Sequence, residues 1–324
     1  MLPMGDTHAC VRALRSERDL VGSCVCAALL CMTVASCIVK TVPFFRVLGE
    51  HGKMMERRSS QQQHHLLRWL YVPKSYFIHM YSWGLMLNAM LFYERFATIV
   101  SFKTLPATAY SSTECIMQLL FTVHLFRRLL ECAFMTIYGD SKMHIAGLAV
   151  GIVHYTICSL CIFILAPPAY TASAPVSAAR GNNTAAKAAG VCLFLAANCC
   201  QYMCHKKLYE TKKCQMGMMY TKKNDEYKIT HTLPQQKTVG LSLYAVPEGI
   251  MFSYVCCPHY TAEILIYLSM YMLIPCPAML CLLVWVTSNL TVVSCNQYDF
   301  YWARFKSSVG YPYSHTKRII PFIL

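Results

Sequence analysis

The fold is decided by an uncharged stretch near the start of the chain, residues 20–39, which reads LVGSCVCAALLCMTVASCIV. At about 1.5 Å of rise per residue, twenty helical residues cross the roughly 30 Å hydrocarbon core of a bilayer. The rest of the chain has a similar character, since 56% of its 324 residues are hydrophobic and only 14% are charged. Soluble domains carry about 25% charged residues, so the composition predicts a membrane protein.

Six further apolar stretches follow, and in lipid each can satisfy its backbone only as a helix. They lie at residues 76–101, 113–137, 144–166, 186–205, 250–274 and 277–300. We therefore predict an all-α membrane protein with about seven transmembrane helices. It would consist of a short N-terminal segment, residues 1–19, and one multi-pass domain, residues 20–324.

Basic residues are concentrated in the loops after the first and fifth predicted spans. Short loops rich in Lys and Arg stay in the cytosol, so alternation predicts a lumenal N-terminus and a cytosolic C-terminus. The loop at residues 166–185 is then lumenal, and it contains a glycosylation sequon at Asn182. The loop charges and the sequon predict the same topology.

Neither nucleic acid nor a metal ion is an expected partner. The formal net charge is +14, but the basic residues flank predicted spans instead of forming a stripe with exposed aromatic residues. They suit anionic lipid or an anionic cofactor. Most of the 19 cysteines lie inside apolar spans, where cysteine behaves as a small hydrophobic residue, and Cys199, Cys200, Cys204 and His205 lack the paired spacing of a zinc site.

Polar and ionisable side chains inside the spans point to function, because charge is costly to bury in lipid. They recur every three or four residues, so each set shares one helix face. The sets are His124, Arg128 and Glu131; Gln201, His205, Tyr209 and Lys212; and His259, Glu263 and Tyr267. An ion pair that only joins helices is the alternative for the first set, and a solvated helix exit for the second. Together they predict a cavity open to the cytosol, which fits a transporter or a reductase.

Several longer passages resemble the steroid 5α-reductase family, and within it the polyprenol reductase branch. They are YVCCPHYTAEI from Tyr254 to Ile264, VHLFRRLLEC from Val123 to Cys132, QYMCH from Gln201 to His205, the passage from Val72 to Tyr81, and the ending from Tyr311 to Leu324. The likeness covers most of the chain from Val72 onward.

The resemblance implies a seven-helix fold that binds NADPH, with the cofactor-binding half at about residues 186–324. Positions matching the family's cofactor contacts are Arg128, Gln201, His205, Lys212, His259, Glu263, Tyr267, Tyr301 and Arg304. Cations suit the phosphates of such a cofactor, while amide, hydroxyl and carboxylate groups suit its ribose and nicotinamide. No Gly-x-Gly-x-x-Gly follows a strand, so an ordinary dinucleotide fold is not expected.

The resemblance also implies a reaction, the reduction of the α-isoprene double bond of a polyprenyl lipid to make dolichol for protein N-glycosylation. This pathway and cytosolic NADPH place the protein in the endoplasmic reticulum membrane. An isolated allylic alcohol cannot accept the electron pair that arrives with hydride, whereas a conjugated aldehyde can, so polyprenal is the expected acceptor. The candidate proton donors are His79, His124 and Tyr81, although each could instead only bond a neighbouring helix.

Two positions depart from the steroid-reducing members of the family. Those members hold the steroid ketone with a glutamate in the second span and a tyrosine in the third, where this chain has Met80 and Leu125. A steroid 5α-reductase is therefore the alternative enzyme, and a non-catalytic membrane lipid-binding protein is the alternative of another class. Residues 227–243 look like an insertion relative to the family.

Overall fold

The computed structural model describes residues 4–41, 70–101, 112–139, 141–164, 184–229, 246–247, 249–305 and 317–319, and every structural statement below concerns these residues. Eight α-helices and two short strands make up this part of the chain. In order they are α1 (Met4–Thr41), β1 (Tyr71–Pro73), α2 (Phe77–Ser101), α3 (Ser112–Phe134), β2 (Lys142–His144), α4 (Ile145–Ile164), α5 (Thr184–Ile229), α6 (Ile250–Tyr254), α7 (Pro258–Leu273) and α8 (Pro277–Phe305).

Each of the seven predicted spans coincides with helical structure. Four helices contain a stretch long and apolar enough to cross a bilayer: Leu20–Ile38, Ile145–Phe163, Thr184–Cys214 and Pro277–Phe305. The chain is therefore a multi-pass membrane protein, while the number of seven spans and the sides of the termini stay predictions. Helix α1 begins at Met4 and runs through the expected segment boundary at residue 19.

The predicted span near residues 250–274 is divided into two helices. The chain leaves the helix after Tyr254 and re-enters it at Pro258, which occupies the first turn of α7 and has no N–H to donate. Between the two helices, Val255 forms a parallel bridge with Lys317. The Cys256 amide donates to the Lys317 carbonyl over 2.8 Å, and the Lys317 amide donates to the Tyr254 carbonyl over 3.0 Å. A distant segment thus supplies the hydrogen bonds that the interrupted helix lacks.

Two other features differ from the sequence-based picture. Helix α5 continues to Ile229, well past the predicted end at residue 205. Strands β1 and β2, which were not predicted, pair antiparallel with Val72 opposite Met143. Asn182 and nearly all of the expected insertion lie outside the described residues.

The helices pack as a bundle around one apolar core. Helix α5 packs along α7, α1 along α8, and α2 against both α3 and α4. Buried core side chains come from most of the helices and include Leu29, Phe121, Ile162, Phe194, Ile266 and Met270. Large apolar side chains such as Leu30, Met86 and Phe126 are exposed, as contact with lipid tails requires.

Helices α2 and α4 approach closely at Gly84. A Cβ atom at this position would lie 2.9 Å from the Cβ atom of Tyr155, so only glycine allows the approach. Next to it, the Trp83 indole donates to the Thr156 hydroxyl over 2.9 Å. The contact brings Tyr81 of α2 beside Tyr155 of α4, with 5.2 Å between the ring centroids.

A buried arginine also connects α2 to α4, near the C-terminal ends of both helices. Arg95 of α2 is only 2% exposed and donates to the last carbonyls of α4, at Ile162 over 3.1 Å and Phe163 over 3.0 Å. Its guanidinium also lies 3.9 Å from the Glu114 carboxylate of α3. These carbonyls have no partner within their own helix, so Arg95 satisfies them where water is scarce.

Candidate active site

A cavity of about 450 Å³ lies between the helices, a size common for small-molecule sites. One wall is polar and comes mainly from α3, α5 and α7. A second wall is mostly apolar and comes mainly from α1, α2, α4 and α8. The polar wall includes Arg128, Gln201, His205, His259 and Glu263, and the apolar wall includes Met32, Phe77, Met80, Val150, Leu290 and Val293.

The polar wall is held by ion pairs around Glu131, which is 3% exposed. Arg127 and Arg128 each pair with its carboxylate, as their spacing of four and three residues on α3 allows. His205 of α5 places Nδ1 2.7 Å from Glu131 Oε2. Arg128 also donates from Nη2 to the Tyr81 hydroxyl over 2.7 Å. Glu131 therefore orients one side chain from α5 and, through Arg128, one from α2.

A second carboxylate, Glu263 of α7, joins this network from the other side. Gln201 of α5 donates its amide N–H to Glu263 and accepts a hydrogen bond from Arg127. His124 Nε2 lies 3.8 Å from Glu263 Oε1. Helices α3, α5 and α7 are thus connected through polar side chains inside the helical bundle.

The network is balanced in charge, because two arginines face two glutamates. Balance matters here, since an uncompensated charge in a low-dielectric site costs several kcal/mol. It also means that these arginines are largely neutralised by Glu131 and Glu263. A dinucleotide with several phosphate charges would need further cations outside the cavity.

The structure brings seven of the twelve predicted site residues to the cavity. They are Tyr81, Arg128, Gln201, His205, His259, Glu263 and Tyr267. His124 is fully buried behind the polar wall, where its Nδ1 lies 2.9 Å from the Asn198 carbonyl oxygen. His79 lies on the exposed side of α2 with its ring against Tyr76, and it does not line the cavity.

The remaining three predicted residues lie beyond the cavity, at the end of the bundle that carries β1 and β2. Lys212 lies two turns past His205 on α5 and donates to the Ile137 carbonyl. Tyr301 is buried against Cys256 and Cys257, and Arg304 is exposed in the last turn of α8. Whether these three residues contact a cofactor stays a prediction.

Lys74 was not predicted as a site residue, yet it lies near Lys212. It precedes α2, and its amide donates to the Ser141 carbonyl over 2.9 Å. Burial, together with the smaller effect of the nearby Lys212 charge, lowers the pKa of Lys74 to about 8. Two ammonium groups set close together favour a bound anion, because an anion would relieve their repulsion.

His154 of α4 was also missed, and it contacts two other cavity residues. Its Nε2 lies 2.7 Å from the Tyr267 hydroxyl, and its Nδ1 accepts a hydrogen bond from the Trp285 indole over 3.2 Å. The signal was available, since His154 is ionisable and lies inside the apolar span 144–166. It was overlooked because no charged residue follows it at helical spacing.

Comparison with known proteins identifies the family. Residues 141–324, more than half of the chain, match the family model described as 3-oxo-5-alpha-steroid 4-dehydrogenase. The chain belongs to this family. It is therefore an oxidoreductase that acts on a CH–CH group.

Similar individual proteins carry a more specific name. Polyprenal reductase of Caenorhabditis elegans is 27% identical over 328 residues, covering 96% of this chain and 95% of that protein. Polyprenal reductase of Danio rerio is 27% identical over 277 residues, covering 78% and 80%. The Saccharomyces cerevisiae polyprenal reductase is 38% identical over a shorter stretch of 101 residues, covering 31% and 35%. The resemblance identified from the sequence is confirmed.

Proposed function

We propose that this protein uses NADPH to reduce the α-isoprene double bond of polyprenal, which yields dolichal for the synthesis of dolichol in the endoplasmic reticulum membrane. The observation that carries this proposal is the two-sided cavity. Its polar wall suits a nucleotide and an aldehyde, while its apolar wall suits the first isoprene units of a lipid. Relatives named polyprenal reductase support the same substrate.

The polar wall has the chemical groups that a nicotinamide and ribose require. Gln201, His259 and Glu263 offer amide, imidazole and carboxylate groups to the cavity. Lys212 and Lys74 would hold the cofactor's phosphates beyond the cavity, since Glu131 and Glu263 already neutralise the arginines. When bound, NADPH supplies the hydride that the double bond accepts.

The apolar wall suits a chain that is far longer than the protein is wide. Met32 and Ala35 of α1 face the cavity, as do Phe77 and Met80 of α2. Helix α1 packs mainly along α8 and makes few contacts with α2, so the lipid can leave the bundle between α1 and α2. Only the aldehyde end of the lipid then needs a fitted pocket.

Tyr81 is the proton donor candidate that the cavity supports. Of the three candidates predicted from the sequence, it alone lines the cavity. Arg128 donates to the Tyr81 oxygen, and its guanidinium carbon lies 4.9 Å from the ring centroid. The Tyr81 hydroxyl hydrogen can therefore point to a ligand, and the hydrogen bond that its oxygen accepts from Arg128 polarises it as a donor to the aldehyde oxygen.

At the two positions where steroid-reducing members hold the ketone, this chain has side chains that cannot bind one strongly. Met80 lines the cavity with a thioether, which is only a weak acceptor. Leu125 is fully buried in the apolar core. A steroid substrate would have to use other groups.

A reconstituted assay tests the proposed reaction. The purified protein in lipid nanodiscs would be supplied with NADPH and either polyprenal, polyprenol or testosterone, and products would be identified by mass spectrometry. We expect dolichal from polyprenal and no NADPH consumption with polyprenol alone, because the alcohol lacks an electron sink. Tyr81→Phe should lower the rate with polyprenal about 100-fold, whereas the matched variant Tyr76→Phe, at an exposed position, should not. Reduction of testosterone but not polyprenal would contradict the proposal.

A further inference from the structure

Three side chains from three helices form a hydrogen-bonded chain that ends in the cavity. Trp285 of α8 donates its indole N–H to His154 Nδ1 over 3.2 Å, and His154 Nε2 lies 2.7 Å from the Tyr267 hydroxyl of α7. All three line the cavity, and Tyr267 and Trp285 are 2% and 4% exposed. Such well-packed side chains hold fixed orientations, so each hydrogen bond of the chain has one donor and one acceptor that do not exchange.

The direction follows from the indole, which can only donate. His154 Nδ1 must therefore accept, and the hydrogen of the neutral imidazole sits on Nε2. A hydrogen on Nδ1 as well would set two N–H groups against each other. His154 Nε2–H accordingly donates to the Tyr267 oxygen.

A phenol whose oxygen accepts this bond keeps its own hydrogen for another partner. Among the described residues, the other side chain within hydrogen-bonding reach of the Tyr267 hydroxyl is Cys158, whose sulfur lies 3.8 Å away and is a weak acceptor. The cavity, which Tyr267 lines, is the remaining direction. The Tyr267 hydrogen thus points to a ligand in the cavity.

Tyr81, the proposed donor to the aldehyde oxygen, lines the same cavity as Tyr267. The Tyr155 ring lies 5.2 Å from that of Tyr81 and 5.0 Å from that of His154, and the His154 ring lies 5.6 Å from that of Tyr267. The four rings form one continuous row with a phenol at each end. Two hydroxyl donors that reach one ligand oxygen would stabilise negative charge developing on it.

We propose that Tyr267 donates a second hydrogen bond to the aldehyde oxygen of the substrate, and that His154 and Trp285 are positioning residues that keep its hydrogen directed into the cavity. When hydride adds to the β carbon, the electron pair of the conjugated double bond moves to this oxygen, where negative charge collects until the α carbon takes a proton from solvent water. Tyr267 stabilises that charge without giving up its proton. The role of Tyr267 rests on the proposed function, because it requires an aldehyde substrate.

Trp285→Phe tests the positioning role, because it removes the indole N–H and keeps an aromatic ring. His154 is then free to move its hydrogen to Nδ1, so that Nε2 accepts from Tyr267 and turns the hydroxyl away from the substrate. We expect kcat with polyprenal to fall about 100-fold, while KM for NADPH changes less than about twofold. Tyr267→Phe should have the same effect.

The double variant separates this role from a structural one. Trp285→Phe and Tyr267→Phe remove the same hydrogen bond, so the double variant should be no slower than either single variant. Two independent structural effects would instead multiply, to about 10⁴-fold. That multiplication, or a normal kcat for Trp285→Phe, would overturn the proposal.

A substitution at His154 gives a second, independent measurement. A glutamine there can accept from Trp285 with its carbonyl and donate to Tyr267 with its amide, so His154→Gln should keep most of the activity that His154→Leu loses. Equal activities of these two variants would refute the positioning role even if Trp285→Phe does not fold. Absence of polyprenal turnover by the unaltered protein would overturn the proposed function as well, whereas normal turnover by all variants would overturn this inference alone.

Discussion

At Glu131, two guanidinium groups and an imidazole converge on one buried carboxylate. Glu131→Gln removes a charge and leaves its arginines uncompensated, which should lower the free energy of unfolding by about 3–5 kcal/mol. Thermal unfolding in detergent would measure the loss. The matched control is Glu210→Gln, since Glu210 and its partner Lys206 are 51% and 56% exposed and their 4.0 Å pair contributes little. An equal change for both variants would contradict the structural role of Glu131.

Lys74 should make stability depend on pH. Burial lowers its pKa in the folded protein to about 8 from an ordinary value of 10.5, so the folded state disfavours the charged form. The unfolded chain holds more protons between these values, and stability should therefore rise with pH from about 8 to about 10.5. Lys74→Met should reduce this rise, as measured by Tm at several pH values.

The control for this titration is Lys206→Met, at an exposed lysine of the same helix as Lys212. Its Tm should change with pH as that of the unaltered protein does. A pH profile of Lys74→Met identical to the unaltered one would show that Lys74 is not responsible.

Much of the site could be predicted at the residue scale, but its partners could not. Helical spacing placed Arg128 and Glu131 on one face, and the structure shows them in one network. Spacing along one helix does not show which residue of another helix will form a hydrogen bond with it. The contacts of Tyr81 with Arg128 and of His154 with Tyr267 could therefore not be predicted. His79 lies outside the cavity lining, and because α2 is apolar on most of its faces its sequence does not indicate which side faces the cavity.

Among the elements, the contact of α2 with α4 positions two aromatic rings of the cavity. Gly84→Val would place atoms within 2.9 Å of the Tyr155 Cβ atom, which belongs to the stem of its side chain and cannot rotate away. We expect a loss of about 1–3 kcal/mol in stability from overpacking, together with reduced activity because Tyr155 would shift against Tyr81. Thermal unfolding and the polyprenal assay would measure the two effects.

Ala89→Val is the matched control for this contact, since Ala89 lies one and a half turns further along α2 on an exposed face. It introduces the same side chain toward lipid and should change stability by less than about 0.5 kcal/mol. Similar losses for both variants would indicate that valine is poorly tolerated anywhere in α2, and not that the helices touch at Gly84.

The sequence predicts the position of a helix well where the helix coincides with a long apolar run. Long apolar runs located α1, α4 and α8 to within a few residues over their membrane segments. Pro258 indicates a helix start, but the sequence does not show that the residues before it bond to Lys317, about sixty residues later. Strands β1 and β2 were missed for the same reason, since each has three residues and gains its partner only in the folded chain.

For the whole molecule, the direction of insertion into the membrane is the main untested prediction. Loop charges predict that Asn182 lies in the lumen, where it would be glycosylated. Expression in cells should therefore give a band that moves faster on a gel after endoglycosidase treatment, and Asn182→Gln should abolish the difference.

A second sequon at Asn289 provides the control, because Asn289 lies within α8 and lines the cavity. Asn289→Gln should leave the gel mobility unchanged. If Asn289→Gln instead removed the glycan, the predicted orientation in the membrane would be wrong. The polar side of the cavity would then not be expected to open to the cytosol.

The backbone bridge between Val255 and Lys317 bears on how damaging alleles of such a gene would behave. A premature stop soon after Arg304 would spare all eight described helices, so the truncated product could still be inserted and accumulate in the bilayer. It would nonetheless lack Lys317, whose backbone bonds to Tyr254 and Cys256 just before α7, the helix that brings His259 and Glu263 to the cavity. Protein abundance would therefore be a poor guide to loss of function for late truncations, and only an enzymatic or lipid measurement would reveal them.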